Sequence, residues 1–471
     1  MNLARMLKAL AKSGLDVERT ADSYRVRLRS EPHAPVAEVL LPLDFPLEEK
    51  ALKQLAQLTA VRHPAGGCVT RAIATPDFHP GDGGIAIGSV VETEGIVIPA
   101  AVGSDINCGM RSMQTDLSMD SFLSRKPAFV AAMKGDYLLG TRDVPLTPKM
   151  FSAVFEGGIP ALLSAETHNQ GVLNRADLQQ IGYERARVMF GGSLHGDLRF
   201  APEALIDSSR AFIRDEGLAT IGSGNHFCEI QLVDEIFNAY LAHYWGLRKD
   251  RIALMIHSGS RNVGRLVGSV WHDKARQLWP QGLAYPESKI FPISEATHGD
   301  LVRDYLVAEA TAANYGFVNR MLLAELFRTR LHEVYGDNTD CALVYDIPHN
   351  ITVVENGTYV TRKGACPAYE DTPVIIPGSM GTKSYFLVGT GNDRFIQSAS
   401  HGAGRATSRF DMRRRDDLGL EGVECITLRE ERRIEEAPAA YKPIDSVVDA
   451  QVQAGLVRRV ASFRPILTFK A

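Results

Sequence analysis

Seven glycines lie between residues 81 and 109, among the short apolar runs IAIGSVV and IVIPAAVG. No other stretch restricts the fold so much. It predicts strands and tight turns in which backbone approaches backbone or a ligand closely. Further β-like runs fall at 227–233, 251–257, 341–346, 350–354 and 373–376. Residues 121–215 carry mostly helical patterns, and a helical block spans about 300–334. The first 61 residues have a different texture. Residues 4–13 read as an amphipathic helix with Leu3, Met6, Leu7 and Leu10 on one face. YRVRLRS and AEVLLPL, within 22–43, read as two strands separated by a Pro/His turn, and 47–59 as a helix. The expected fold class is α+β: a short N-terminal α+β extension over 1–61, packed on a mixed α/β domain over 62–471.

The polar motifs sit at the ends of the β-like runs, near positions 105, 226, 257, 349 and 401. Loops held by rigid strands are where folds usually expose chemistry. Such dispersion argues for one composite site. Residues 62–471 are therefore read as one unit, although ~150 residues per domain would allow about three. No uncharged apolar run approaches ~18 residues, so no membrane span is expected. The opening residues, MNLARMLKALAKSGLD, carry Lys and Arg through their apolar positions, and no secretory signal is expected. The six cysteines are scattered without a CxxC pair, which suits reduced thiols and a cytoplasmic protein. Net charge is -4, so contact with a polyanion needs a local patch or metal ions.

Candidate metal ligands come from four segments. Asp105-Ile106-Asn107-Cys108 follows an apolar run, and a curled DxxC can turn both heads to one point. Alone, it fits a capping Asp and a buried structural Cys as well. His226 lies in GSGNHF before the strand CEIQLV, His257 ends the strand IALMI, and His349 lies in DIPHN between two strands. One such histidine would be structural; three in the same setting, with DxxC, point to a metal. Neutral imidazole is the commonest protein ligand, and its second nitrogen needs a partner such as Asp346, Asn350 or Asn225. Ligand softness alone suggests zinc for a Cys/His set. His79, in PDFHPGDGG, fits RNA contact or loop structure. His168, His195, His243, His272, His298 and His332 read as structural.

Two further segments suit a nucleotide. Pro377-Gly378-Ser379-Met380 follows the run PVII, and its glycine and hydroxyls could meet a phosphate, although it is neither a P-loop nor a Rossmann turn. In Ser400-His401-Gly402-Ala403-Gly404-Arg405 the imidazole is unobstructed by neighbours. A neutral imidazole nitrogen can attack phosphorus and split one hard step into two. Arg405 could match its planar fork to phosphate oxygens. The arginines at 405, 409, 413–415, 429, 432, 433, 458, 459 and 464 read as a solvated helix face, with an RNA-backbone patch as the functional alternative.

Together, PDFHPGDGGIAIGSVVETEGIVIPAAVGSDINCGM, TIGSGNHFCEIQLVDEIF, MIHSGSRNVG, VYDIPHNI, RKGA, VIIPGSMGTKSY and HGAGRATSR resemble the RtcB family of RNA-splicing ligases. The resemblance is strong over 62–115, 216–270 and 340–410. It implies a family-specific mixed α/β catalytic domain and two manganese ions. Asp105 and His226 would hold one ion, His257 and His349 the other, and Cys108 both. His401 matches the guanylylated nucleophile. Asn225, Phe227, Glu229, Asn350, Pro377, Gly378, Ser379, Met380, Ser384, Gly402, Ala403, Gly404 and Lys470 match residues around GTP. The implied activity joins RNA 3′-phosphate or 2′,3′-cyclic phosphate ends to 5′-hydroxyl ends, with archease as a possible activating partner. The alternatives are a metal-dependent 3′-end phosphoesterase and an enzyme that leaves a guanylyl cap on a 3′-phosphate. Ser400 stands where many relatives have Cys, the segment after RKGA is short, and the first 60 residues do not match the family's usual start. These departures bear on the RNA served, with a repair paralogue as the alternative to a splicing enzyme.

Overall fold

The computed structural model describes residues 3–42, 45–165 and 170–471. Among them, two large sheets meet at the strand ends that carry the motifs. One sheet runs in the order Leu15–Arg19, Tyr24–Leu28, Ala37–Val39, Cys68–His79, Ile87–Glu94, Thr358–Lys363, Asn350–Glu355. The other runs Cys341–Pro348, Gly109–Thr115, Ile252–Ser258, Phe227–Ile236, Val457–Lys470, Ser384–Gly389, Pro373–Ile376, with Cys425–Thr427 added in parallel. A short pair, Ala365–Pro367 with Ser398–Ser400, sets Ala365 opposite Ser400 and leads the chain into His401.

Antiparallel register explains why distant motifs converge. Gly109 lies opposite Ser258 on one side and Pro348 on the other, and Phe227 lies opposite His257. The start of one strand therefore faces the end of its neighbour. Four segments separated by up to 240 or so residues then fall at one end of one sheet.

Behind this sheet runs the helix Glu295–Tyr335, broken in φ/ψ only at His298. It is buried continuously from Thr311 to Arg328. A helix stretch covered on every side is a core element, and two of its buried polar residues, Asn319 and Arg320, point at the strand ends. Ser294 caps it by accepting from the Ala296 amide.

The first strands are the edge of the first sheet, and Leu52, Leu55 and Val39 share an apolar core with Ile73, Phe395 and Val460. Arg394 adds a bidentate link to Asp22, at 2.7 and 2.8 Å. Expected and observed elements differ in several places, the strands Thr358–Lys363 and Ser384–Gly389 among them. Leu15–Arg19 is a strand that its mostly charged sequence, LDVER, did not signal. AEVLLPL forms a strand only over Ala37–Val39, and its last residue, 43, lies outside the described residues. Val457–Lys470 is a strand of 14 residues despite Pro465, which is accommodated by a register shift between Pro465 and Leu467. No helix among the described residues is long and apolar enough to cross a membrane.

Candidate metal and nucleotide site

At the shared strand end the side chains of Asp105, Cys108, His226, His257 and His349 converge. Cys108 Sγ lies 3.2 Å from Nε2 of both His226 and His257. His257 Nε2 lies 3.3 Å from His349 Nε2, and Asp105 Oδ2 lies 2.9 Å from His226 Nε2. His226 Nδ1 lies 3.1 Å from the Ile221 carbonyl and 3.3 Å from Arg261 Nη1; with the proton on Nδ1 and given to that carbonyl, Nε2 presents a lone pair toward Asp105 and Cys108. Burial, with neighbouring charge added, holds His257 and His349 well below the ordinary imidazole range, so both rings are neutral. Burial and the Asp105 carboxylate push the Cys108 thiol up.

This arrangement fits a cation. The ligand atoms of Cys108, His226 and His257 lie within 4.8 Å of one another. Asp105 Oδ1 and His349 Nδ1 are buried without a hydrogen-bond partner. Lone pairs crowded together out of water are unfavourable unless something positive joins them. A divalent cation does so, and also makes the buried thiol a thiolate.

His401 stands beside this cluster, its ring 4.7 Å from that of His349 between centroids. Its Nδ1 is 2.6 Å from Asp77 Oδ2, and its amide donates to the same oxygen at 3.2 Å. Asp77 is fully buried at the end of Cys68–His79, and its other oxygen accepts from the Thr75 hydroxyl at 2.6 Å. Burial would raise the Asp77 carboxyl, but the His401 ring and the hydroxyl hold it below its usual value. The carboxylate fixes the proton on Nδ1 and leaves Nε2 free as a nucleophile. Gly404 must lack a side chain here: its φ is 75°, and a Cβ would lie 2.1 Å from the Asp77 carbonyl oxygen.

Two cavities open on His401. The first, of about 380 Å³, is lined by Asn225, Phe227, Glu229, Pro377, Gly378, Ser379, Met380, Gly402, Ala403, Gly404 and Lys470 from the sequence reading. Burial pushes Glu229 up to about 7, although Thr468 and Gln231 both donate to it. Lys470 donates to the carbonyls of Gly224 and His226, at 3.0 and 3.3 Å. The second cavity, of about 510 Å³, is bounded by Asp105, Cys108, His226 and His349, with Arg265, His272 and Lys363 on its wall.

Two of the nucleotide candidates lie elsewhere. Ser384 stands behind the Pro377–Met380 turn, accepting from the Gly378 amide at 3.2 Å. Asn350 faces the second cavity and braces Asp105, donating to its carbonyl at 3.0 Å. Arg405 is engaged by Glu436 at 3.0 Å and by the Glu435 carbonyl at 2.8 Å. The other arginines are not one helix face. Arg409 pairs with Glu436, Arg413 and Arg432 with Glu435, Arg433 with Glu430, Arg458 with Asp371 and Arg459 with Asp449. His79 lines the first cavity, its Nδ1 2.7 Å from the Asp77 carbonyl. His272, read as structural, lines the second; His168 lies outside the described residues.

Sequence reasoning missed Asp77, although it had quoted the motif that contains it. It also missed Glu48 and Lys50, which reach the first cavity from the N-terminal segment, and Glu436 and Tyr441. The only available signal was the density of polar residues in PDFHPGDGG.

A family model described as tRNA-splicing ligase RtcB matches residues 54–471. The chain is similar to the tRNA-splicing ligase RtcB of Archaeoglobus fulgidus, 30% identical over 517 aligned positions that cover 99% of each chain. It is 32% identical over 441 positions to that of Pyrobaculum aerophilum, covering 84% of this chain and 86% of the relative. It is 34% identical over 446 positions to the RNA-splicing ligase RtcB of Mycobacterium tuberculosis, covering 85% and 96%.

Proposed function

The chain belongs to the RtcB family, and we propose that it is an RNA ligase that joins 3′-phosphate or 2′,3′-cyclic phosphate ends to 5′-hydroxyl ends at the expense of GTP. The single observation that carries this reading is the placement of His401. One ring nitrogen is tied to buried Asp77, and the ring lies between a nucleotide-sized cavity and the ligand cluster.

Asp105, Cys108 and His226 would hold one divalent cation, and Cys108, His257 and His349 a second, with manganese the family's implied metal. When bound, such ions supply Lewis acidity and orientation at phosphate. The chain's own residues do the rest. Phe227, Glu229, Lys470 and the Pro377–Met380 turn hold the nucleotide so that its α-phosphorus faces His401. His401 Nε2 then bonds to that phosphorus as the bond to the pyrophosphate oxygen breaks. Asp77 keeps the Nδ1 proton and stabilises the positive ring that results, as the carboxylate does in other His–Asp pairs. The second cavity admits the RNA end; a 2′,3′-cyclic phosphate is first opened by water, which breaks the P–O2′ bond, and an oxygen of the 3′-phosphate then bonds to the guanylyl phosphorus as its bond to His401 Nε2 breaks. A 5′-hydroxyl oxygen then bonds to the RNA phosphorus and GMP leaves. We read residues 1–61 as an extension packed on the 62–471 catalytic unit, since its strands form the edge of the first sheet; the family match reaches into it, to residue 54, and its Glu48 and Lys50 line the nucleotide cavity.

Incubation with α-phosphate-labelled GTP and Mn²⁺ should give an acid-labile protein adduct that His401→Ala cannot form. Asp77→Asn should slow adduct formation by ~10²–10⁴-fold. Absence of an adduct across manganese, zinc and magnesium overturns the reading. End processing without GTP by an active His401→Ala protein would instead identify a phosphoesterase. A 3′-linked guanylate as final product would identify a capping enzyme.

A further inference from the structure

The helix Glu295–Tyr335 carries an arginine whose side chain has no contact with solvent, yet which no step above uses. Arg320 is 0% exposed. A guanidinium offers five N–H donors. Here each has an acceptor within 3.2 Å. Nε donates to Asp346 at 3.0 Å, and Nη2 to Asp346 at 2.8 Å and to Asn107 Oδ1 at 3.2 Å. Nη1 donates to the carbonyls of Asn107 at 2.6 Å and Ser258 at 3.1 Å.

Those acceptors are not scattered through the core. Asn107 precedes Cys108, Ser258 follows His257, and Asp346 lies three residues before His349. One side chain thus grips three of the four ligand segments. The adjacent Asn319 links the loop that leads to His226 with the His257 segment, accepting from the Thr220 amide at 3.1 Å and donating to the Gly259 carbonyl at 2.9 Å. The surroundings are cut to fit. Asn107 has φ 53°, which aims its carbonyl into the fork. At Gly109 a Cβ would lie 2.9 Å from Arg320 Cζ, so a side chain there would displace the guanidinium.

We propose that Arg320 is a positioning residue that holds the Cys108, His257 and His349 segments in register for metal binding; this rests on the metal reading given above. Lysine cannot replace it, because an ammonium on a flexible stem cannot serve acceptors arrayed around a planar fork. Groups behind metal ligands typically matter ~10–100-fold in metal affinity.

The probe is Co²⁺ added to the full chain, because a thiolate bound to cobalt gives a near-ultraviolet charge-transfer absorption. The comparison is Arg320→Lys against Arg328→Lys. Arg328 is also buried on this helix, but its partners are Glu184, Glu325 and the Cys341 carbonyl. Arg320→Lys should weaken Co²⁺ binding by at least ~10-fold and lower the absorption per bound ion. Arg328→Lys should leave both within ~2-fold, at matched thermal stability. Should Arg320→Lys not fold, Arg320→Met serves, since Asp346 keeps Arg111 at 3.2 Å and no charge is left unpaired. Equal metal binding by wild type and either folded Arg320 variant overturns the inference. A wild-type protein without the thiolate absorption would overturn the metal reading itself.

Discussion

Two carboxylate–arginine networks flank the site, and they differ in where the arginines end. On the metal side Asp346 takes Arg320 and Arg111, and all three side chains are at most 1% exposed. On the nucleotide side Glu435 and Glu436 are as deeply buried, but their partners Arg409 and Arg413 are 44% and 59% exposed. The chemistry is the same and the solvent is not. A buried pair is held by the high penalty for separating it, which suits a scaffold for ligands. A pair with one foot in water is cheap to rearrange, which suits the rim of a cavity proposed to admit a nucleotide and release pyrophosphate.

The most severe test of this contrast is Asp346→Ala. It leaves two guanidiniums buried, with only Glu184, 3.9 Å from Arg111, as partial compensation. Urea unfolding should show a loss of about 3–5 kcal/mol. A loss below about 1 kcal/mol would mean that water reaches the network and that the two sides do not differ. A pH experiment on the helix Glu295–Tyr335, which carries Arg320, comes next. Burial pushes Glu309 up to about 7, although the Thr352 amide and the Tyr305 hydroxyl favour its charged form. Between pH 4.5 and 7 the folded protein therefore binds a proton that the unfolded chain has lost, so this group's contribution to stability falls as pH rises through that window. Glu309→Gln should not show that fall. Its advantage over wild type should grow from near zero at pH 4.5 to about 1–3 kcal/mol above pH 7. A constant difference across the window would show that Glu309 is solvated after all.

The same contrast explains what could be read from the sequence. Cys108, His226, His257 and His349 each announce themselves at a strand boundary, and antiparallel register does the rest. Nothing at position 77 distinguishes Asp77 from Asp82, because its partner His401 is 324 residues away. Arg320 was equally silent. In a helix that is buried all round, periodicity gives no polar face against which a buried arginine would stand out. The arginines after 405 misled for the opposite reason. The acids among them, Asp411, Asp416, Asp417, Glu430 and Glu431, suggested a solvated face, whereas Glu435 and Glu436, which that reading passed over, are buried and bind two arginines each. The strand Val457–Lys470 was hidden by Pro465, since a proline normally argues against an interior strand.

On the nucleotide side the effects should be smaller and should appear in binding before folding. Glu436 receives Arg405 at 3.0 Å, Arg409 at 2.8 Å and the Tyr441 hydroxyl, and it lines the first cavity. Glu436→Gln keeps the shape and removes the charge. It should lower stability by about 1–3 kcal/mol and change the KM for GTP, because two arginines then face the cavity uncompensated.

Arg413→Ala should do least. Its exposed guanidinium reaches in to the buried Glu435, with Arg432 still beside that carboxylate at 3.1 Å. An ion pair whose arginine is exposed and whose carboxylate keeps a second partner contributes about 0–1 kcal/mol, and salt screens what there is. The expected result in urea unfolding is a change within about 1 kcal/mol that shrinks further at high ionic strength. A loss of several kcal/mol, insensitive to salt, would place Arg413 in the same class as Arg320. The division between a rigid metal side and an adaptable nucleotide rim would then fail, because both networks would be equally costly to open.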